Sequence, residues 1–305
     1  MSSEIWVEKY RPKKLEDVIA DEKTLAKLNE YIKKKDFPHL LFSGTAGIGK
    51  TTVAKILSKS ITDEVMYINA SDKTSVDVIR DQVSRFCATM SMTGSLKVII
   101  LDEFDGISHQ AQKMLRGITE EFHKTCRFIL TCNFENVILD AIHSRFQKFD
   151  FGGNTSDSKK AVAQRCLHIL QEEGIDTDNV KKEIMELVKR YYPDIRKVIN
   201  SLQQSCIDNK FSYIEDNSSV EEADKLIKYL SSGDIKSIRR DLLGSGTDFK
   251  SYYRALFNRT EEYVSTADQR MGAMLIIGEY MNYHSTTIDP DINFVTCLLQ
   301  ICKLG

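Results

Sequence analysis

A glycine-rich segment, GTAGIGKT at residues 44–51, sets strict conditions on the fold around it. It has the spacing G-x-x-x-x-G-K-[ST], follows a short apolar run and opens a helical pattern. In such a strand–loop–helix unit, the glycines let backbone N–H groups curve around phosphate oxygens. Lys50 would place its charge on the β- and γ-phosphates, and Thr51 would offer its hydroxyl to Mg²⁺. An ordinary glycine-rich turn is the alternative, but the flanking pattern favours a nucleoside triphosphate site.

Short β-rich runs alternate with helical patterns through the first half of the chain. The runs are almost continuously apolar, which indicates strands covered on both faces, as in a parallel sheet. We predict strands at residues 39–43, 65–69, 97–101, 127–131 and 147–151, and helices at residues 50–60, 74–90 and 108–122. This repetition predicts an α/β domain with a parallel five-stranded sheet over residues 1–151.

The second half of the chain is helical throughout, beginning after the segment GGNTS at residues 152–156. One predicted helix ends at Gly174, a second is stopped by Pro193, and Asp194 can cap a third. About four amphipathic helices follow Gly233, with breaks at residues 244–246 and 289–290. We therefore predict a small helical lid domain over residues 152–232 and an all-helical collar or oligomerisation domain over residues 233–305.

Composition and charge exclude several classes of protein. The 305 residues carry 42 basic and 44 acidic side chains, so composition gives no indication of nucleic-acid binding. No apolar run approaches the roughly 20 residues that a membrane span needs, and the first residues lack a signal-peptide pattern. Seven cysteines without a C-x-x-C pair argue against a disulfide framework or zinc site. We expect a cytoplasmic protein with no membrane partner.

An acidic pair, Asp102 and Glu103, ends the third apolar run. A carboxylate at that position would lie beside the glycine-rich loop and could hold the water shell of Mg²⁺. Glu103 would be within reach of a water that attacks the γ-phosphate, as general base or as an orienting group. Taken alone, the pair is also typical of an exposed acidic turn. The glycine-rich loop upstream favours the catalytic interpretation.

Three further polar residues occur where the same chemistry could use them. Asn133 follows the next strand and could hold the attacking water; Arg145 closes the domain and could reach a neighbour's phosphate. Arg196 lies in the first turn of a helix in the second domain. Each has an ordinary alternative: a turn cap, a surface ion pair and a solvated helix residue, respectively. Their order along the chain links them to the phosphate site.

The order and spacing of these motifs resemble those of AAA+ clamp-loader ATPases, the replication factor C small subunits and their phage counterparts. The motifs are WVEKYRP at residues 6–12, GTAGIGKT, DEFD at 102–105, TCN at 131–133, SRF at 144–146 and PDIR at 193–196. PDIRK at residues 193–197 and GEYMNYH at 278–284 are most similar to the large subunits of T-even-type phage loaders. Two departures, DEFD for the usual DEAD and Phe146 for the usual Cys, remove no reacting group.

The resemblance implies a role for each matching position. For the adenine pocket it implies Val7, Glu8, Lys9, Tyr10 and Ile19; for the phosphates it implies Gly47, Ile48, Gly49, Lys50, Thr51 and Thr52. It implies that Asn133 is sensor 1, Arg196 is sensor 2 and Arg145 is an arginine finger acting in the neighbouring subunit. Arg116 would couple neighbouring subunits to the catalytic glutamate, and Arg80 and Lys113 would contact the template backbone.

The function that the resemblance implies is that of a sliding-clamp loader subunit. ATP and Mg²⁺ would be its cofactors, ATP binding would open the clamp on primer–template DNA, and hydrolysis would release the loader. DNA and clamp would stimulate that hydrolysis. The implied partners are the clamp, a small loader subunit and further copies of the chain in a five-subunit spiral. DNA contacts would be made to the backbone without sequence specificity, because several copies can sum a few cations each.

Two other functions remain open from the sequence. A translocating AAA+ motor, either helicase or unfoldase, usually carries pore-loop insertions, for which residues 51–102 leave no room. A loader subunit that binds nucleotide without turnover would not need its reacting groups. Lys50, Asp102, Glu103 and Arg145 are all present, which argues against that alternative.

Overall fold

The computed structural model describes residues 5–70, 76–91, 94, 96–152, 156–178, 180–207, 210–212, 218–241, 249–284 and 286–304. The chain divides into two compact units, Met1–Ile214 and Glu215–Gly305. None of the described helices has the length and apolar character that crossing a bilayer requires.

The first unit contains a parallel sheet of five strands, as predicted. They are β1 (Leu40–Ser43), β2 (Val65–Asn69), β3 (Lys97–Asp102), β4 (Cys126–Cys132) and β5 (Gln147–Asp150). Their order is β2-β3-β4-β1-β5, and every neighbouring pair is parallel. The carboxyl ends of β1, β3 and β4 therefore meet at one edge of the sheet, where the predicted reacting residues follow them.

Helices cover both faces of this sheet. They are α2 (Glu22–Lys34), α3 (Lys50–Ile61), α4 (Val76–Ala88), α5 (His109–Glu121) and α6 (Asp140–His143), whereas the short first helix, α1 (Trp6–Lys9), packs in a different core. Leu41 and Ile99 pack in a core with α4 and α5, whereas Phe42 and Ile100 pack in a second core with α2 and α3. Successive residues of one strand thus enter different cores, which explains why the strands are apolar almost throughout.

Local sequence explains where several helices begin. The Asp21 carboxylate accepts a hydrogen bond of 2.9 Å from the backbone N–H of Thr24 at the start of α2. The Ser108 hydroxyl accepts one of 3.3 Å from the N–H of Ala111 at the start of α5. Such side-chain caps satisfy N–H groups that have no partner within the helix. The sequence analysis did not predict α1 or α2.

A helical subdomain completes the first unit. It contains α7 (Ser156–Glu172), α8 (Lys181–Tyr191), α9 (Ile195–Gln204) and a short antiparallel pair, β6 (Cys206–Ile207) and β7 (Lys210–Phe211). Trp6 of α1 is buried in the core of this subdomain. Its backbone N–H donates a hydrogen bond of 3.0 Å to Oε1 of Gln203 in α9, which is 197 residues further along the chain. The three helices match the prediction, whereas β6 and β7 were not predicted. Residues 153–155 of the predicted linker lie outside the described residues.

The second unit is helical in its described residues. Its helices are α10 (Ser218–Ser231), α11 (Ile235–Asp241), α12 (Phe249–Asn258), α13 (Ala267–Tyr283) and α14 (Pro290–Cys302). Leu226, Tyr253 and Phe294 are buried in their common core. Because α10 packs in this core, the expected boundary between the lid and collar domains, at residue 232, falls inside the second unit. The division of the chain into three domains stays a prediction. The expected break at residues 244–246 lies outside the described residues.

Candidate nucleotide site

A cavity of about 370 Å³ lies at the carboxyl edge of the sheet, bounded by α1, the β1–α3 loop and the start of α9. Its lining includes Val7, Tyr10, Ile19, Gly47, Ile48, Gly49, Lys50, Thr51, Thr52, Asp102, Glu103, Asn133 and Arg196, all predicted from the sequence. The lining thus combines apolar side chains with charged and amide side chains. This combination suits a base with an attached polyphosphate.

Lys50 is held in place by its own loop. Its Nζ donates to the carbonyl oxygens of Gly44 and Thr45, both at 2.8 Å, and to Asn133 Oδ1 at 2.9 Å. The side chain is buried, and burial lowers the pKa of Lys50 from its usual value. The ammonium group is thus fixed at the base of the loop. Because all three of its N–H donors have acceptors, a phosphate oxygen would replace one of these acceptors.

The glycine-rich loop packs directly against α9. Gly47 has a φ of 77°, and a Cβ atom there would lie 1.8 Å from Asp194 Oδ1. Asp194 is the N-cap of α9 and accepts a hydrogen bond of 2.9 Å from the N–H of Lys197. The N–H of Arg196 donates to Gly47 O at 3.2 Å. The position therefore requires glycine, and this contact holds Arg196 at the cavity.

Asp102 lies at the centre of a set of hydroxyl groups. Thr51 Oγ1 and Thr131 Oγ1 donate to its Oδ1 at 2.7 and 2.5 Å, and the Tyr67 hydroxyl donates to its Oδ2 at 2.7 Å. Among the described residues, no group of three or more His, Cys, Asp or Glu could enclose a metal ion. A threonine hydroxyl beside a single carboxylate is the donor set of Mg²⁺ that keeps most of its ligands as water and phosphate. Thr51 and Asp102 therefore fit Mg²⁺.

Glu103 lines the cavity in an uncommon backbone conformation. Its φ is 55°, in the left-handed region, and its N–H donates to Thr131 Oγ1 at 3.0 Å. A non-glycine residue in this region costs free energy, and such residues concentrate at functional sites. Both carboxylates of the pair thus line the cavity, and that of Asp102 also accepts hydrogen bonds from hydroxyl groups of neighbouring elements.

Asn133 is positioned by a residue that the sequence analysis did not select. Asp105 Oδ2 accepts hydrogen bonds from the N–H groups of Asn133 and Phe134, at 3.1 and 3.0 Å. The carboxylate thereby fixes the turn after β4, and the Asn133 amide reaches Lys50. The only sequence signal was the place of Asp105 as the last residue of the DEFD motif.

Other cavity residues were missed for similar reasons. Tyr67, Thr131 and Arg165 line the cavity, and Arg165 Nη2 of α7 donates to Tyr10 O at 2.8 Å. Tyr67 and Arg165 belong to none of the motifs, and Thr131 begins the TCN motif, from which only Asn133 was selected. Residue spacing alone could not have selected them.

Two residues predicted for the adenine pocket have other contacts. Lys9 Nζ forms an ion pair of 2.8 Å with Glu173, and Glu8 forms one of 2.6 Å with Arg11. Neither Glu8 nor Lys9 is among the described residues that line the cavity. The cavity therefore brings together Val7, Tyr10 and Ile19 but not these two charged side chains.

Arg145 lies outside the cavity of its own chain. Its Nε donates to Glu120 Oε1 at 2.9 Å, its Nη2 also contacts Glu120, and its Nη1 donates to Ala141 O at 2.9 Å. Glu120 also accepts from Arg116 Nε at 3.3 Å, and the adjacent Arg145 guanidinium lowers the pKa of Glu120. The predicted arginine finger, Arg145, and the predicted coupling residue, Arg116, therefore share one carboxylate on the surface of α5.

The predicted DNA contacts are also outside the cavity. Arg80 is exposed on α4, and Lys113 is exposed on α5. Both helices pack on the same face of the sheet. The structure thus places the two cations on neighbouring helices, where solvent and large partners have access to them.

Comparison with known proteins agrees with the cavity and the helical subdomain. Residues 40–152 match the ATPase family associated with various cellular activities (AAA). Residues 154–211 match the sliding-clamp-loader large subunit, AAA+ ATPase lid domain. A solved structure of a RuvB point variant from Thermotoga maritima has a TM-score of 0.53 and 15% identity, and the alignment covers 81% of this chain and 85% of that chain. At that identity it shows the fold alone.

Curated relatives extend the similarity along the chain. The replication factor C small subunit of Methanosarcina mazei is 37% identical over 210 residues, which cover 67% of this chain and 61% of that protein. That of Methanoregula boonei is 35% identical over 246 residues, which cover 77% of this chain and 75% of that protein. The chain thus spans less than two thirds of the first relative and three quarters of the second. On these grounds, the chain belongs to the replication factor C small-subunit family.

Proposed function

We propose that the chain is an ATPase subunit of a sliding-clamp loader, in which ATP binding opens the clamp on primer–template DNA and hydrolysis releases the loader. One observation carries the proposal: Lys50, Thr51, Asp102, Glu103 and Asn133 converge in one cavity that Arg196 borders. The chain that builds this cavity belongs to a family of replication factors.

The side chains divide the work of hydrolysis among them. Lys50 binds the β- and γ-phosphates, while the loop N–H groups from Gly47 to Thr52 surround the phosphate oxygens. Thr51, and Asp102 through water, would hold Mg²⁺, which would supply positive charge to neutralise the phosphates. Glu103 accepts the proton of the attacking water, and Asn133 orients that water. Val7, Tyr10 and Ile19 surround the adenine, and we extend that pocket to the backbone of Glu8 and Lys9.

Arg145 completes a neighbour's site in this proposal. The guanidinium is about one third exposed, it does not border its own cavity among the described residues, and it shares Glu120 with Arg116. A cation at the edge of the domain stabilises transition-state charge in an adjoining protomer. Arg116 then couples that contact to the catalytic glutamate of the site.

DNA binding requires several copies of the chain. Each copy offers Arg80 and Lys113 to the phosphate backbone, and the chain as a whole, with a net charge of −2, is not basic. Phosphate contacts from neighbouring copies sum to a strong, salt-dependent affinity that does not depend on base sequence. The partners are the clamp, a small loader subunit and enough further copies for a five-subunit assembly.

The second unit supports the collar role. Exposed apolar side chains lie on α13 and α14: Met271, Leu275, Ile292 and Leu299. Their exposed fractions are 61%, 75%, 65% and 47%. Apolar surface of this kind is typical of a site that another protein covers.

The division into ATPase, lid and collar domains belongs to the same proposal. All seven cysteines are free thiols, which suits the cytoplasm.

The decisive experiment measures ATP turnover by the purified loader with and without clamp and primed DNA. We expect turnover to rise when both are present, together with the appearance of topologically linked clamp on circular DNA. Stimulation by long single-stranded DNA without any clamp requirement would favour a translocating motor. Absence of turnover with intact nucleotide binding would identify a structural subunit instead. The native mass of the complex tests the five-subunit assembly.

A further inference from the structure

Tyr67 contributes a phenol to the nucleotide cavity, and none of the predicted roles accounts for it. The residue lies on the edge strand β2, and its hydroxyl donates to Asp102 Oδ2 at 2.7 Å. The residues directly paired in the parallel register are Tyr67 with Ile100 and Asn69 with Asp102. Tyr67 therefore reaches the aspartate diagonally across two strands, which requires the length of a phenol.

The hydrogen bonds of Asp102 define what Tyr67 can do. An ionised carboxylate has about four acceptor positions, two on each oxygen. Among the described residues, Thr51 and Thr131 donate to Oδ1, and Tyr67 donates to Oδ2. These three donors fill both acceptor positions on Oδ1 and one of the two on Oδ2. The remaining position is on Oδ2, the oxygen that Tyr67 contacts. The phenol thereby determines which part of the carboxylate remains available to a further donor.

The face of the Tyr67 ring also has a contact, in addition to the hydrogen bond of its hydroxyl. Lys55 Nζ lies 4.1 Å from the centroid of the Tyr67 ring, and Lys55 is one turn after Thr51 on α3. A cation over an aromatic face is attracted by the ring quadrupole. The ring is thus fixed between α3 and the carboxylate.

We propose that Tyr67 is a positioning residue for the metal site: its hydroxyl orients the Asp102 carboxylate so that the remaining acceptor position on Oδ2 receives a water of bound Mg²⁺. The inference rests on the proposed Mg²⁺–nucleotide site and adds a residue to it. Tyr67 acts through Asp102 and not on the phosphates. Its removal should therefore weaken metal binding more than nucleotide binding.

The test compares Tyr67→Phe with the wild-type protein in the assembled loader. Mn²⁺ is titrated in the presence of ADP and followed by electron paramagnetic resonance, and ADP affinity is measured separately in EDTA. We expect Mn²⁺ affinity to fall about tenfold, which is the smallest loss typical when a residue that supports a metal ligand is removed. The loss should be small because Thr51 and Thr131 still donate hydrogen bonds to Asp102. ADP affinity in EDTA should be unchanged. The Mg²⁺ concentration for half-maximal ATP turnover should rise with little change in kcat.

The matched control is Tyr229→Phe. The Tyr229 hydroxyl also donates to an aspartate carboxylate, Asp241 Oδ2 at 3.0 Å, but it lies in the second unit. The control should leave Mn²⁺ affinity unchanged, and Tm measurements on both variants should show that neither loses its fold. Unchanged or tighter Mn²⁺ binding by Tyr67→Phe would overturn the inference, since a tighter site means that the phenol competes with the metal's water. If the wild-type protein with ADP binds no Mn²⁺, the proposed metal site itself is wrong.

Discussion

Two cationic side chains of the first unit, Lys50 and Arg145, differ in how the fold holds them. Lys50 is 7% exposed, and uncharged oxygens of its own loop and of Asn133 accept its hydrogen bonds. Arg145 is about one third exposed, and an exposed carboxylate on α5 accepts hydrogen bonds from its Nε and Nη2. A buried cation surrounded by neutral acceptors keeps its charge available to an anion. An exposed cation paired with a carboxylate can exchange partners at low cost.

In the proposed function the two groups serve different chains. Lys50 binds phosphate in the site of its own chain, whereas Arg145 lies outside that cavity and would complete the site of an adjoining protomer. The four substitutions below test this contrast, in order of decreasing expected effect.

Lys50→Ala should abolish nucleotide binding or turnover, because no other described side chain can replace its charge between the loop and Asn133. We expect a loss of turnover greater than about 10³-fold, comparable with the loss of a catalytic electrostatic group. Equilibrium binding of a fluorescent ATP analogue and steady-state turnover measure the two effects. Wild-type turnover by this variant would show that the loop is not the phosphate site.

Arg145→Ala should bind ATP almost normally and assemble, but lose DNA-stimulated hydrolysis by roughly 10³–10⁵-fold. Mixing it with Lys50→Ala provides the directional test. In a mixed oligomer, an intact loop facing an intact Arg145 from the other variant should restore part of the activity. Wild-type turnover by Arg145→Ala in the presence of clamp and primed DNA would remove the trans role.

Glu103→Gln separates binding from chemistry within the cavity. Size and polarity are retained while basicity is lost, so ATP affinity should be unchanged and turnover should fall by roughly 10²–10⁴-fold. The clamp and DNA should accumulate in a stable complex with the loader, which gel filtration can detect. Normal hydrolysis would place water activation on another group.

Glu120→Gln tests the exposed partner of Arg145. Exposed ion pairs contribute little, so we expect turnover to change by a few-fold only, with unchanged ATP affinity. Glu121→Gln is the matched control, because Glu121 is the next residue of α5 and is also exposed. A loss of turnover as large as that of Arg145→Ala would mean that Glu120 itself acts on the neighbouring site. The contrast between Lys50 and Arg145 would then be smaller than we infer.

The sequence was sufficient for features that depend on neighbouring residues. Strand and helix patterns predicted the five-stranded sheet, and the spacing of glycines around Lys50 predicted the phosphate loop, because both follow from local backbone geometry. Asp194 was predicted as a helix cap for the same reason. Short elements such as α1 and the β6–β7 pair carry too few residues to produce a recognisable period, so they were not predicted.

The order of strands and the contacts between them were decided only in the folded chain. The order β2-β3-β4-β1-β5 brings Tyr67 and Thr131, from the two strands beside β3, to opposite oxygens of Asp102. Packing of α9 on the glycine-rich loop brings Arg196 to the cavity, and packing of α5 gives Arg145 a partner outside it. Such contacts join side chains that are far apart in sequence. They form, and stabilise the protein, only once the sheet and its helices have assembled. The sequence by itself determined which groups are available to bind and cleave a nucleotide. The tertiary structure determined which of them line one cavity and which, such as Arg145, lie outside it.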